Sequence, residues 1–278
     1  MKTTLNLTTV LDKTTAIARE AGQLLREYAA HPNHADTKSA SVDLVTAADR
    51  ASEALIVERL TEQFPDFHII GEEGGAYENS GDADGYRWYI DPIDGTTNFA
   101  HGIPHYAVSM ALATDKNEPI FGVIYDPMRD ECFSAVKGLG ATLNGKTIRV
   151  SETEKLAHSV VGSGFPYNKW TSPENNAENW GNFVVRTQGI RRLGSAALDM
   201  AYVACGRLDG YWEHHLSRWD VFAGIVIVQE AGGNVTDYEG NPNNITIEKP
   251  RLVASNGNIH DEIVQVLKLG KDAPRPKN

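Results

Sequence analysis

Cysteine is nearly absent from this chain: of 278 residues only Cys132 and Cys205 carry a thiol. Their spacing fits no zinc motif, and two thiols cannot build a disulfide framework, which points to a reducing, cytoplasmic setting. Long apolar runs are also missing. None approaches the roughly 18 residues that span a bilayer, and the opening MKTTLNLTTV lacks the apolar stretch of a secretion signal. Positive charge is short as well. A formal net charge of -11 argues against a general nucleic-acid or membrane-surface binder, which carries a basic patch. Small anionic substrates stay open, provided their site brings its own cations. No internal repeat, linker or low-complexity stretch divides the chain, so its two halves are expected to share one core.

What is present is ordinary globular composition, 41% hydrophobic and 23% charged, enough for a sizeable core. At roughly 150 residues per domain, the length allows one large domain or two lobes, about 1–150 and about 151–278. Apolar residues recur at helical spacing over 8–30 (Leu11, Ile17, Ala18, Ala21, Leu24, Leu25, Tyr28). Thr46 to Asp49 reads as a capping box opening a second helix through Leu60, before Pro65. A short strand over 67–70 runs into Gly71-Glu72-Glu73-Gly74-Gly75. Strands follow at 88–90, 106–113, 120–125, 131–136 and 141–143, separated by turns such as Asp126-Pro127 and Asn144-Gly145, which predicts a largely antiparallel sheet. Beyond 150, strands (159–163, 209–212, 252–255) alternate with helices (195–205, 221–230, 259–267). The second of these helices stops at Ala231-Gly232-Gly233.

The chemistry gathers in Trp88-Tyr89-Ile90-Asp91-Pro92-Ile93-Asp94-Gly95-Thr96-Thr97-Asn98-Phe99. Asp91 and Asp94 are an odd number apart, which on a regular strand sends them to opposite faces. Pro92 is expected to stop the strand, so that a turn brings both carboxylates to one point. Gly95-Thr96-Thr97 then opens a helix whose free amides favour phosphate. Hard oxygen ligands beside an anion cradle are reconciled by a Mg²⁺ ion between them. The plain alternative for Asp-Pro or Asp-Gly alone is a turn; the whole stretch favours a site. Glu72-Glu73 ends another strand and on its own would be a solvated acidic loop. Asp220, at the start of an apolar helix, on its own would be an N-cap worth about 1 kcal/mol.

These segments together resemble the inositol monophosphatase family. Trp88 to Phe99 is similar to its first signature, and Trp219-Asp220-Val221 through Glu230-Ala231-Gly232-Gly233 to its second. Gly71-Glu72-Glu73 and Lys38-Ser39-Ala40-Ser41-Val42-Asp43-Leu44-Val45-Thr46 match two further segments, in the family's order. The resemblance implies a layered α-β-α-β-α fold with mixed, largely antiparallel sheets, and homodimerisation. It implies Mg²⁺-dependent hydrolysis of a phosphate monoester by attack of water. Two ions and a third, weaker one would be held: Glu72, Asp91 and the Ile93 carbonyl for one, Asp91, Asp94 and Asp220 for the next, with the weaker ion near Glu72. Gly95 and Thr96 would give amides to the phosphate. Thr96 with Glu72 would orient water, and Asp49 would bond the Thr96 hydroxyl. Gly194, Ser195 and Ala196 match the substrate-contact loop, and Glu213 the residue that contacts inositol hydroxyls. Lys38 lies in the family's mobile loop and is a weak candidate for the phosphate.

The departures lie on the acceptor side, at His214-His215 and over 166–180, and bear on the substrate rather than the chemistry. Phosphatases of the same superfamily, acting on histidinol phosphate, fructose bisphosphate or phosphoadenosine phosphate, are the nearest alternatives; Glu213 leans towards a polyol. A regulatory protein-binding role on the same fold is an alternative of another class, and a structural Ca²⁺ site lacks EF-hand spacing. The histidines show no HExxH pattern. His31 and His34 read as surface residues, and His214 or His215 as a pocket neighbour. Arg191-Arg192 receives no catalytic role. Asp91 is expected to be an exposed ligand whose loss stops turnover without unfolding the chain.

Overall fold

The computed structural model describes residues 6–30, 36–37, 44–45, 47–77 and 85–269. Thr46, Lys38 with the rest of 38–43, His31 and His34 fall outside the described residues. The first half runs α1 (Leu7–Ala29), β1 (Asp36–Thr37), β2 (Leu44–Val45), α2 (Ala47–Gln63), β3 (His68–Gly71), β4 (Gly75–Tyr77), β5 (Tyr86–Asp94), α3 (Thr96–Ala100), β6 (Ala107–Thr114), β7 (Pro119–Asp126), β8 (Glu131–Val136), β9 (Gly140–Leu143) and β10 (Lys146–Thr147). The second half runs β11 (Val160–Ser163), α4 (Ala177–Val184), β12 (Gly189–Arg191), α5 (Ala196–Ala204), β13 (Gly210–Glu213), α6 (Arg218–Glu230), β14 (Asn234–Asp237), β15 (Leu252–Ser255) and α7 (His260–Leu267). Among the described residues no helix is long and apolar enough to cross a membrane.

Two mixed sheets carry the fold. The larger has the order β10-β9-β8-β7-β6-β5-β3-β4, antiparallel throughout except where β3 runs parallel to β5. The smaller has the order β12-β11-β13-β15-β14, with β11 parallel to both of its neighbours. Side chains alternate across each strand, and here both faces are covered. Trp88 and Ile90 of β5 point into a core shared with Ile17, Ile56 and Leu60 of α1 and α2. Tyr89 points the other way, into a core with α5 and α6. In the smaller sheet Tyr211 joins that same central core, while Trp212 faces Phe183 and Ile263 of α4 and α7. The layers therefore read helix, sheet, helix, sheet, helix. Being sandwiched explains why α6 is apolar nearly all round, with every residue from Val221 to Val228 buried. Gly122 in β7 lets α6 approach: a Cβ there would come within 2.6 Å of the Ala223 carbonyl oxygen.

Pro92 does not end its strand, as the sequence reading expected. β5 continues to Asp94, with Asp91 opposite Ser109 and Asp94 opposite Ala107. Three steps on β5 thus match two on β6, which is a β-bulge. The extra residue cancels the odd spacing and places Asp91 and Asp94 on the same face. Pro92 is tolerated because a bulge releases one residue from the ladder. Other elements escaped the sequence reading: the three-residue strands β4 and β12, β14, the two-residue strands β1, β2 and β10, and α4. The Asn144-Gly145 turn is present, with positive φ at both residues (48° and 77°).

Candidate active site

Two parallel strand ends begin the site. Gly71 lies opposite Ile90, and the Glu72 amide donates to the Ile90 carbonyl at 3.2 Å, so Glu72 leaves its strand beside Asp91. Helix α2 shapes that exit. Its buried Glu53 accepts from the Glu73 amide (2.9 Å), the Gly74 amide (2.5 Å) and the Tyr77 hydroxyl (2.9 Å). Gly71 leaves room for this carboxylate: a Cβ there would come within 2.5 Å of it. Ser52 donates to the Pro92 carbonyl at 3.3 Å. Asp49, Ser52 and Glu53 share a buried face with Ile56. That helical spacing of polar residues among core positions was the available signal for Ser52 and Glu53, which the sequence reading missed.

Asp220 reaches the same point from α6. Ser109, the cross-strand neighbour of Asp91, donates to the Trp219 carbonyl at 3.1 Å. The N-cap of α6 is Ser217, and Asp220 stands three residues on, accepting the Ser217 amide at 2.6 Å. It closes the helix start and still faces the other acids: Glu72, Asp91 and Asp220 each offer an oxygen within 4.8 Å of the others. Asp91 is 2% exposed, not the exposed ligand expected, because it stands in β5, an interior strand flanked by β3 and β6. Burial, then the charges of Glu72, Asp94, Asp220 and Asp49, hold the Asp91 carboxyl well above the usual carboxylate range. Asp220 is raised in the same way, by burial first and then by Glu72 and Asp94. Converging hard oxygens, one buried and two half-buried, fit a divalent cation of the Mg²⁺ type.

Asp94 is placed differently from those three. Its oxygens accept from the Ser195 hydroxyl (2.5 Å), the Ala197 amide (2.6 Å) and the Ala196 amide (3.3 Å). Burial raises its carboxyl, and these bonds together with Arg192 oppose that. Asp94 therefore joins the bulge to the start of α5, and it engages two of the residues that the resemblance gave to substrate contact. The Ile93 amide donates to Asp91 at 3.0 Å, and the Thr96 hydroxyl donates to the Ile93 carbonyl at 3.1 Å. Gly95 turns the chain with φ 105°; a Cβ there would lie 3.2 Å from the carbonyl oxygens of Gly194 and His105. Asn98 clamps these loops by donating to the His105 and Leu193 carbonyls, each at 2.8 Å.

A cavity of about 560 Å³ opens over this cluster. Glu72, Asp91, Ile93, Asp94 and Asp220 line one end, and Gly95, Thr96, Gly194, Ser195 and Ala196 line the side. Glu213 stands on the smaller-sheet side, with Phe165, Pro166, Tyr167, His214 and His215 around the opening. Segment 166–180 thus shapes the pocket as its distinctive sequence suggested. His214 is buried and tied to the Glu174 carbonyl at 2.7 Å, a support for that segment. Glu213 accepts from the Tyr211 hydroxyl at 2.5 Å, and burial pushes its carboxyl up to about 7. Arg192, given no role from sequence, lines the cavity with Lys169 and Lys249. Its charge favours ionised Asp94 and Glu213. These three are the local cations that an anion needs in an acidic chain, and no motif in the sequence marks them.

A layered α/β fold whose sheet ends and helix starts converge on an acidic cation site, beside glycine turns and cavity cations, defines a metal-dependent phosphatase. The chain belongs to the inositol monophosphatase family, which it matches over residues 6–270, and is thereby a phosphoric monoester hydrolase. It is 46% identical over 231 residues to the inositol-1-monophosphatase of Synechocystis, covering 83% of this chain and 78% of that one. It is 45% identical over 246 residues to the Nus factor SuhB of Pseudomonas aeruginosa, covering 86% and 88%. Among solved structures it superimposes on the inositol monophosphatase of Anabaena with a TM-score of 0.83 at 43% identity, covering 95% and 96% of the two chains.

Proposed function

We propose that this protein hydrolyses a polyol monophosphate, an inositol monophosphate above all, in a Mg²⁺-dependent reaction. The observation that carries this is one cavity joining the Glu72–Asp91–Asp220 cluster to the Glu213 carboxyl. Glu72, Asp91, the Ile93 carbonyl, Asp94 and Asp220 would hold two or three cations, Asp91 being shared. When bound, the cations lower the pKa of water and stabilise developing negative charge on the leaving oxygen. The chain's own groups do the rest. Arg192, Lys169 and Lys249 draw the phosphate dianion into the cavity. The amides of Gly95 and Thr96 orient it, with Gly194, Ser195 and Ala196 bounding the substrate. The Thr96 hydroxyl and Glu72 align the attacking water, supported by buried Asp49. Glu213 accepts hydrogen bonds from hydroxyls of the leaving alcohol, which selects polyols over plain alcohols.

The test is a panel of phosphomonoesters ranked by kcat/KM in millimolar Mg²⁺: inositol, histidinol, fructose bis- and phosphoadenosine phosphates. The inositol ester ranks first on this reading. No hydrolysis of any of them, with a melting temperature unmoved by Mg²⁺, contradicts it. The protein is further proposed to act in the cytoplasm as a homodimer, which sedimentation of the purified chain checks. The likeness to a Nus factor favours a second reading, a regulatory protein-binding role on the same fold. Such a role survives Asp91→Asn, whereas hydrolysis does not.

A further inference from the structure

Behind Glu213 lies a second acid that the proposed reaction does not use. Asp199 of α5 is 1% exposed, and its Oδ1 has no hydrogen-bond partner. It lies over β11 at Gly162, where a Cβ would come within 3.3 Å of its Cγ. Gly162 pairs in register with Tyr211. One residue past the end of β11, Gly164 makes the same allowance for Glu213: a Cβ there would come within 2.1 Å of that carboxylate. A glycine in β11 and another just past its end thus each accommodate a carboxyl group brought by another element. Tyr211, the register partner of Gly162, donates its hydroxyl to Glu213 at 2.5 Å. The charges of both acids act on that buried hydroxyl.

A buried carboxyl and a half-buried one whose charges act on each other do not both ionise readily. The Tyr211 hydroxyl favours the charge on Glu213, because a hydrogen bond to a carboxylate stabilises it. Asp199 has no such donor on Oδ1 and keeps its proton more easily. Burial first, then the Glu213 charge, raise the Asp199 carboxyl well above the usual range, against Arg192 and with Asp94 adding to the rise. Glu213, Tyr211, Arg192 and Asp94 are the ionisable groups that act on it, from β13, the loop before α5, and β5.

We propose that Asp199 is a positioning residue for substrate selection: as a neutral acid behind the Tyr211–Glu213 pair, it holds the Glu213 carboxyl against Gly164, where the hydroxyls of a polyol leaving group meet it. This rests on the polyol phosphatase reading above. It assigns Asp199 no contact with phosphate or cation, so its effect belongs to one class of leaving group.

The experiment compares Asp199→Ala and Asp199→Asn with the unaltered protein on myo-inositol 1-phosphate and on 4-nitrophenyl phosphate, whose leaving group offers no polyol hydroxyls. Asp199→Ala should raise KM for the inositol ester about tenfold with kcat within about twofold, and leave both constants for the nitrophenyl ester within about twofold. Asp199→Asn, neutral and of the same shape, should restore the inositol KM to within about threefold. Equal losses on both esters, or an unchanged inositol KM in Asp199→Ala, overturn the proposal. Infrared difference spectra, unaltered protein minus Asp199→Asn at pH 7, should show the carbonyl stretch of a protonated carboxylic acid. Its absence places a charge on Asp199 and also overturns the proposal. If no phosphomonoester is hydrolysed at all, the phosphatase reading fails, and the infrared band still decides the state of Asp199.

Discussion

The two ends of the cavity treat carboxylates in opposite ways. At the larger-sheet end, Glu72, Asp91 and Asp220 converge within 4.8 Å, and burial together with the neighbouring acids raises the carboxyls of Asp91 and Asp220. At the smaller-sheet end, Glu213 has a tyrosine hydroxyl at 2.5 Å and Arg192 nearby. The first end could hold a cation. The second is largely satisfied by its own chain and is ready for a neutral, hydroxyl-rich group. Asp94, also at the first end, is a buried acid whose oxygens accept hydrogen bonds from the start of α5. The difference teaches that buried acids in one pocket can serve different chemistry according to who compensates them.

Substitutions that remove one end or the other sharpen this contrast. The largest effect is expected from Asp91→Asn, which should lower kcat on the order of 10³-fold or more on every phosphoester. The circular dichroism spectrum should stay native, and the cation-free melting temperature should rise, because a repelling buried charge is gone while the Ile93 amide keeps its acceptor. Gly95→Ala comes next. Its φ of 105° and the carbonyl oxygens 3.2 Å from the added Cβ force the turn to shift. About a hundredfold loss of kcat/KM on all esters is expected, from displacement of the groups that position phosphate. Glu213→Gln should raise KM for the inositol ester about tenfold, about 1.4 kcal/mol, and spare 4-nitrophenyl phosphate. A loss shared by both esters breaks the division between the two ends.

The smallest effect is on stability against pH. The folded-state pKa values of Asp91 and Asp220 are raised, so the native state binds protons that the unfolded chain releases. Their contribution is present below the unfolded value near 4 and is lost as pH rises through the folded values. Without cations, the melting temperature should fall by a few degrees between about pH 5 and pH 8, at roughly 2–4 °C per kcal/mol. Mg²⁺ should reverse this, with a larger rise at pH 8 than at pH 5. A cation-free melting temperature that rises over that range contradicts the assignment; differential scanning calorimetry reads both.

The two ends also differ in how far the sequence reveals them. Asp91 and Asp94 stand in one continuous signature, whose apolar run reads as a strand and whose Gly95-Thr96-Thr97 reads as a helix start. What periodicity could not show was the bulge at Pro92: a proline that ends a strand and one that bulges it read alike until the partner strand is known. Glu72 and Asp220 needed the family resemblance, because parallel pairing of β3 with β5 and the Ser109–Trp219 bond join segments far apart in the chain. Glu53 was missed because a glutamate on a helix reads as solvated unless the glycine turn it holds is already in place. Arg192, Lys169 and Lys249 belong to no motif, and only the folded cavity that they line gives them meaning; Asp199 reads as one polar residue of a predicted helix until its burial is known. The short strands β4 and β12 carry too few residues for alternation to register.

The central claim is that the three converging carboxylates hold the cation on which hydrolysis depends. It is tested most directly by following phosphate release from myo-inositol 1-phosphate while Mg²⁺ is added to the chelator-stripped protein. The account predicts no release without Mg²⁺, a saturable rise as it is added, and none at any Mg²⁺ concentration in Asp91→Asn. Release that persists in excess chelator, or that Asp91→Asn retains in full, would contradict it.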